Sequence, residues 1–165
     1  MTVPRELKLK HVANEILVAS QPVPELFKKE SKPLSIYNQK SINTLDLGTK
    51  FGKLQFPCRI SVDVEEVKDF SLIISNDNGE ELAIGFDKNQ NSYFIDRTKA
   101  GKSSFQKDFA ARHFAPRLSV SKTMTVSVII DVSSVEVFAD DGLTVMTGIF
   151  FPNKPYNKLQ FQSAE

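Results

Sequence analysis

Apolar residues spaced two apart, with polar residues between them, run through most of this chain. Over residues 59–64, Ile60, Val62 and Val64 alternate with Arg59, Ser61 and Asp63, the period of a half-buried strand. Phe70, Leu72 and Ile74 alternate with Ser71 and Ser75, and Ile73 breaks the pattern in a way that suggests burial on both faces. Asn76-Asp-Asn-Gly tolerates positive φ and reads as a turn, after which Leu82, Ile84 and Phe86 resume the alternation. Lys88-Asn-Gln-Asn is the next turn and Ser92-Tyr-Phe-Ile-Asp-Arg the next strand, which makes an antiparallel meander.

The same grammar returns in the second half. Val126, Val128 and Ile130 form one apolar face, Val132-Ser-Ser turns the chain, and Val135-Glu-Val-Phe comes next. Asp140-Asp-Gly turns it again before an apolar run from Leu143 to Phe151, and Lys158-Leu-Gln-Phe-Gln closes the series. Helical signal is thin. Pro24-Glu-Leu-Phe-Lys-Lys reads as one or two turns with Pro at the first helical position. Residues 105–111 fit either a short helical turn or an ordered loop. Many short strands at roughly ten-residue spacing, without a repeat of 20–50 residues, predict an all-β fold. The expected architecture is an antiparallel two-sheet β-sandwich, jelly-roll or lectin-like, with at most one or two short helical turns.

Composition narrows the function. The 165 residues fit one domain, and 41% hydrophobic with 25% charged is globular. The net charge of +1 provides no excess to drive binding to nucleic acid. No apolar run approaches the roughly 20 residues of a membrane helix, so membrane insertion is not expected. One cysteine, Cys58, and two histidines, His11 and His113, are too few for a structural zinc site. Neither a metal nor a cofactor is expected. With 13 Phe and no Trp, the core should be phenylalanine-filled, from Phe70, Phe86, Phe94, Phe138, Phe150 and Phe161.

Several stretches imitate catalytic motifs. Gly101-Lys-Ser resembles the end of a phosphate-binding loop, but Asp96 stands where that motif needs glycine. The pairs Glu65-Glu66, Glu80-Glu81 and Asp140-Asp141 invite a glycosidase reading. A retaining glycosidase needs two carboxyl groups about 5–5.5 Å apart across a sugar, and strand neighbours point to opposite faces. Arg112-His113 lies near no Gly-x-Ser-x-Gly nucleophile motif. No catalytic residue is assigned.

Three segments together carry a resemblance. Val3-Pro-Arg-Glu-Leu with Ile16-Leu-Val-Ala-Ser-Gln-Pro-Val-Pro-Glu-Leu comes first. Tyr93-Phe-Ile-Asp-Arg-Thr-Lys-Ala-Gly, followed by Phe105 and Phe109, is the second. Ile130-Asp-Val-Ser-Ser-Val-Glu-Val-Phe-Ala-Asp-Asp-Gly, with Thr147 and Phe151-Pro, is the third. In this order they resemble the C-terminal β-sandwich of glycoside hydrolase family 32, which contains levanases, inulinases and invertases. The resemblance spans essentially the whole chain. It implies residues 1–165 as a single sandwich domain, with the junction from a catalytic propeller within residues 1–12 and Met1 as an added start. The family's Asn-Asp-Pro-Asn-Gly, Arg-Asp-Pro and Glu-Cys catalytic motifs do not occur, and Asn76-Asp-Asn-Gly lacks the proline.

The resemblance therefore implies a non-catalytic accessory module of an exported bacterial fructan-hydrolysing enzyme. Its partner would be the propeller of the same polypeptide, with an apolar docking patch that includes the 3–12 strand. The rival reading is a fructan-binding module. Its stacking face would come from Tyr37, Tyr93, Tyr156 or a Phe, and Asp96 and Arg97 beside Tyr93 would supply polar contacts to the oligosaccharide. Glu136 shares a strand face with Phe138, so it should be partly buried. It is expected to be structural, bonded to a hydroxyl, a backbone N–H or an Arg/Lys.

Overall fold

The computed structural model describes residues 2–28, 33–36 and 43–163; Met1 and Tyr37 lie outside them. Twelve strands form three antiparallel sheets among the described residues. A two-stranded hairpin pairs β1 (Arg5–Val12) with β2 (Glu15–Pro22). A four-stranded sheet runs β11 (Thr144–Ile149), β10 (Ser134–Ala139), β9 (Met124–Ile130), β4 (Cys58–Val64). A six-stranded sheet runs β3 (Thr44–Asp46), β12 (Lys158–Ser163), β5 (Phe70–Ser75), β6 (Glu81–Asp87), β7 (Ser92–Lys99), β8 (Arg112–Pro116). Among the described residues, helix is limited to a 3-10 turn at Pro24–Phe27 and one α turn, α1, at Gly48–Phe51.

The two larger sheets make the sandwich. Phe70, Leu72, Ile74, Leu82, Ile84, Phe86, Tyr93 and Ile95 from the six-stranded sheet enclose one core with Met124, Val126, Val128, Ile130, Val135 and Val137 from the other. Phe70, Leu72, Ile74, Leu82, Ile84, Phe86, Val126, Val128 and Ile130 are positions that sequence alternation placed on inward faces; Tyr93, Ile95 and Met124 join them in the structure. Phe94 and Phe138 are buried too, but on the outward faces of their sheets, under Arg112 and Arg5 respectively.

Residues 105–109 take the loop alternative, as a series of turns, and their rings cluster: Phe105 lies 4.6 Å from Phe109 and 5.7 Å from Phe151. The segment after them is β8, an edge strand that ends at Pro116, where a missing N–H costs no ladder bond.

Candidate functional site

Strand β7 holds the three residues of the expected sugar contact, and the structure does not bring them together. Tyr93 is 1% exposed, and its hydroxyl donates to Asp140 Oδ2 at 2.7 Å. Burial, then the Asp140 carboxylate, pushes that phenol above its ordinary pKa. Arg117 Nε lies 2.9 Å from the same Oδ2, and the Arg117 Nη groups donate to the carbonyls of Ser119, Ser121 and Thr123. Tyr93 is therefore part of a buried polar triad. Tyr156 is 2% exposed and offers no stacking face either.

Asp96 turns to the outer face, where it accepts from Thr98 N and Oγ1 and lies 4.0 Å from Arg112 Nε. Arg97 falls where β7 gains one residue on β6, since Ala83↔Asp96 is followed by Glu81↔Lys99. Such a bulge re-aims a side chain. Arg97 donates to Ile149 O at 3.1 Å, meets His113 Nε2 at 3.0 Å, and lies 4.2 Å over the Phe109 ring.

The carboxylate doublets are divided in the same way. Glu80 is buried and binds Asn76 and Asn153, whereas Glu81 faces solvent and pairs with Lys99 at 3.4 Å. Asp140 lies in the triad, whereas Asp141 is exposed and pairs with Lys10 at 3.2 Å. Glu65 and Glu66 are both exposed at the end of β4. Burial pushes the Cys58 thiol up to about 11, which leaves it un-ionised at neutral pH and a poor nucleophile. Among the described residues no group of three His, Cys, Asp or Glu could hold a metal ion.

The most built-up feature joins the hairpin to the sandwich. Glu136, 3% exposed on the outer face of β10, accepts from Val3 N at 2.7 Å and from Arg5 Nη2 at 2.5 Å. Arg5 also reaches Thr147 Oγ1 at 3.0 Å and lies 5.1 Å over the Phe138 ring. Further along, Ser20 N donates to Gly142 O at 2.8 Å and Ala19 is fully buried. One face of the hairpin is thus seated. The opposite face pairs Leu9 with Val18 and His11 with Ile16, and there Leu7 (67%), Leu9 (74%), Ile16 (60%) and Val18 (57%) are exposed. Four apolar side chains thus share one exposed face of the hairpin. Sequence reading included the 3–12 strand in such a patch but missed β2; the alternating Ile16 and Val18 were its signal.

Comparison with known proteins agrees with this anatomy. The family described as "Glycosyl hydrolases family 32 C terminal" matches residues 24–165, leaving the hairpin outside the matched region. The levanase of Bacillus subtilis is 28% identical over 99% of this chain, which covers 25% of the levanase. The extracellular exo-inulinase inuE of Aspergillus niger is 32% identical over 93% of this chain, 29% of its own length. The crystal structure of exo-inulinase from Aspergillus awamori superposes with a TM-score of 0.78 at 25% identity, covering 99% of this chain and 32% of that one. The chain thus spans about a quarter to a third of these relatives. Matched over residues 24–165, it belongs to the C-terminal family of the family 32 glycosyl hydrolases.

Proposed function

We propose that this chain is the non-catalytic C-terminal module of an exported fructan-hydrolysing enzyme of the levanase and exo-inulinase kind, seated on the catalytic propeller of the same polypeptide. The apolar face of the hairpin carries the reading. Arg5–Glu136, Ser20–Gly142 and Lys10–Asp141 hold β1–β2 against the sandwich, while Leu7, Leu9, Ile16 and Val18 face away from it. Covering each of those side chains stabilises by about 1.5–3 kcal/mol at most. Inter-domain interfaces bury roughly 600–1,500 Å², and this face would supply an apolar part of one.

A catalytic part for this module has no support in its carboxylates. The two-carboxylate mechanism needs an acid and a nucleophile facing one sugar, and the doublets at 80–81 and 140–141 each have one member engaged in the fold. The purified chain is expected to release no fructose from levan, inulin or sucrose.

The test is to express the cognate propeller with the module, without it, and with Leu9→Glu plus Val18→Glu. A lower melting temperature or solubility for the second and third proteins supports docking. Equal behaviour of all three overturns it.

A further inference from the structure

We infer that the outer face of the six-stranded sheet is a binding groove for a neutral, hydroxyl-rich saccharide, centred on Arg112. The groove measures about 300 Å³ and lies over β12, β5, β6, β7 and β8. Its floor is a stack. Gly85 has no side chain, and a Cβ there would sit 2.8 Å from Phe94 Cζ, so glycine lets the Phe94 ring lie close against the sheet. The Arg112 guanidinium lies 3.7 Å above that ring and 5.2 Å from the ring of Phe114. A guanidinium seated over a ring in this way is attracted to its face while its N–H groups can still bond outward.

The bonding capacity is unspent. The Arg112 side chain makes no hydrogen bond among the described residues, and its one ion-pair contact, to Asp96, is long at 4.0 Å. Ser71 and Gln162 face each other across β5 and β12 on the same side and line the groove. Neither side chain has a hydrogen-bond partner among the described residues. A planar five-donor fork, an amide and a hydroxyl therefore converge on one concave surface. The stack fixes the guanidinium before any ligand arrives, which lowers the ordering cost of binding.

Charge decides the ligand class. Asp69 and Asp87 line the groove, and Asp96 stands beside Arg112. One guanidinium among three carboxylates leaves the site net negative, which repels phosphate or carboxylate ligands. Vicinal sugar hydroxyls donate to carboxylates and accept from a guanidinium, so they match both signs. The inference rests on the fructan reading above only for the choice of probe.

Titrating the full chain with levan-type and inulin-type fructo-oligosaccharides, by calorimetry and by amide NMR, tests it. The expected result is saturable binding, shifts concentrated at Ser71, Phe94, Arg112 and Gln162, and at least tenfold weaker binding in Arg112→Ala and Gln162→Ala. Leu9→Glu on the distant hairpin should bind as the unsubstituted chain does. Circular dichroism melts of the variants distinguish lost binding from lost fold, and Ser71→Ala is a third, gentler probe. No saturable signal at millimolar sugar, unchanged binding in the folded variants, or tighter binding of citrate than of sugar overturns the inference. None of these outcomes bears on docking, which is read from stability beside the propeller.

Discussion

Arg5 and Glu136, 131 positions apart, meet at 2.5 Å on the outer face of the four-stranded sheet, with Val3 N on the other carboxylate oxygen. The carboxylate is buried and the guanidinium side chain is 23% exposed. The pair therefore ties the first strand of the hairpin to the middle of β10.

Glu136→Gln should destabilise the chain by about 1–3 kcal/mol, because it keeps the shape but removes the charge from two short bonds. Arg5→Ala should cost a similar amount and also uncover the Phe138 ring. In a double-mutant cycle the two losses should be well short of additive. Denaturant melts check this, and an unchanged midpoint for Glu136→Gln refutes the structural assignment.

A deeper triad should be costlier to break. Asp140 holds both Tyr93 and Arg117, with side-chain exposures of 4% and 5% for the ion pair. Asp140→Asn leaves Arg117 buried without its counter-charge, so a loss of about 3–5 kcal/mol is expected. Tyr93→Phe removes one bond and should cost about 0.5–2 kcal/mol. If Asp140→Asn proves as mild as Tyr93→Phe in chemical melts, Arg117 is satisfied by the Ser119, Ser121 and Thr123 carbonyls alone.

Legibility in the sequence depends on range. Ile60, Val62 and Val64, or Val126, Val128 and Ile130, announce their strands because a period of two needs only neighbours in sequence. The run Arg112-His113-Phe114 does not, since this edge strand exposes all three side chains and so carries no such alternation, and β8 was missed. The face-sharing of Glu136 and Phe138 could be read from alternation; Arg5 as the partner could not, because nothing local links residues 131 apart. Tyr93, Asp96 and Arg97 show the opposite case. They are close in sequence, yet the pleat and the β7 bulge send them to three different places.

Gly142 should be the hinge of the hairpin's seat. Its φ is +80°, and a Cβ there would lie 2.2 Å from Ser20 O. Gly79 has a similar φ of +74° with nothing within 4 Å. Gly79→Ala should therefore show only the left-handed backbone cost, about 1–2 kcal/mol. Gly142→Ala adds a clash that lifts β2 off the β10–β11 turn. In hydrogen exchange, Gly142→Ala should speed β1–β2 amides while those of β5 and β6 stay protected. Uniform loss across both sheets would contradict a separately seated hairpin.

Acid should release the 152–157 segment first. Burial of Glu80 pushes its carboxyl up, but bonds from Asn76 Nδ2, from Asn153 N and Nδ2, and from Lys154 N outweigh burial and bring it down to about 2. An unfolded Glu titrates near 4.3. Because the folded pKa is the lower one, the unfolded chain binds more protons between the two values, so stability falls as pH drops. The contribution is complete above pH of about 4.5 and is lost on descending towards pH of about 2. Glu80→Gln should remove that slope from the stability–pH curve and weaken the chain at neutral pH by about 1.5–3 kcal/mol, the range for bonds to a charged group. Urea midpoints for both proteins between pH 7 and pH 2 measure the difference. Parallel curves would assign the acid sensitivity to other carboxylates, of which Asp77, held down by hydrogen bonds from Lys158 and then Asn157, is the first to mutate.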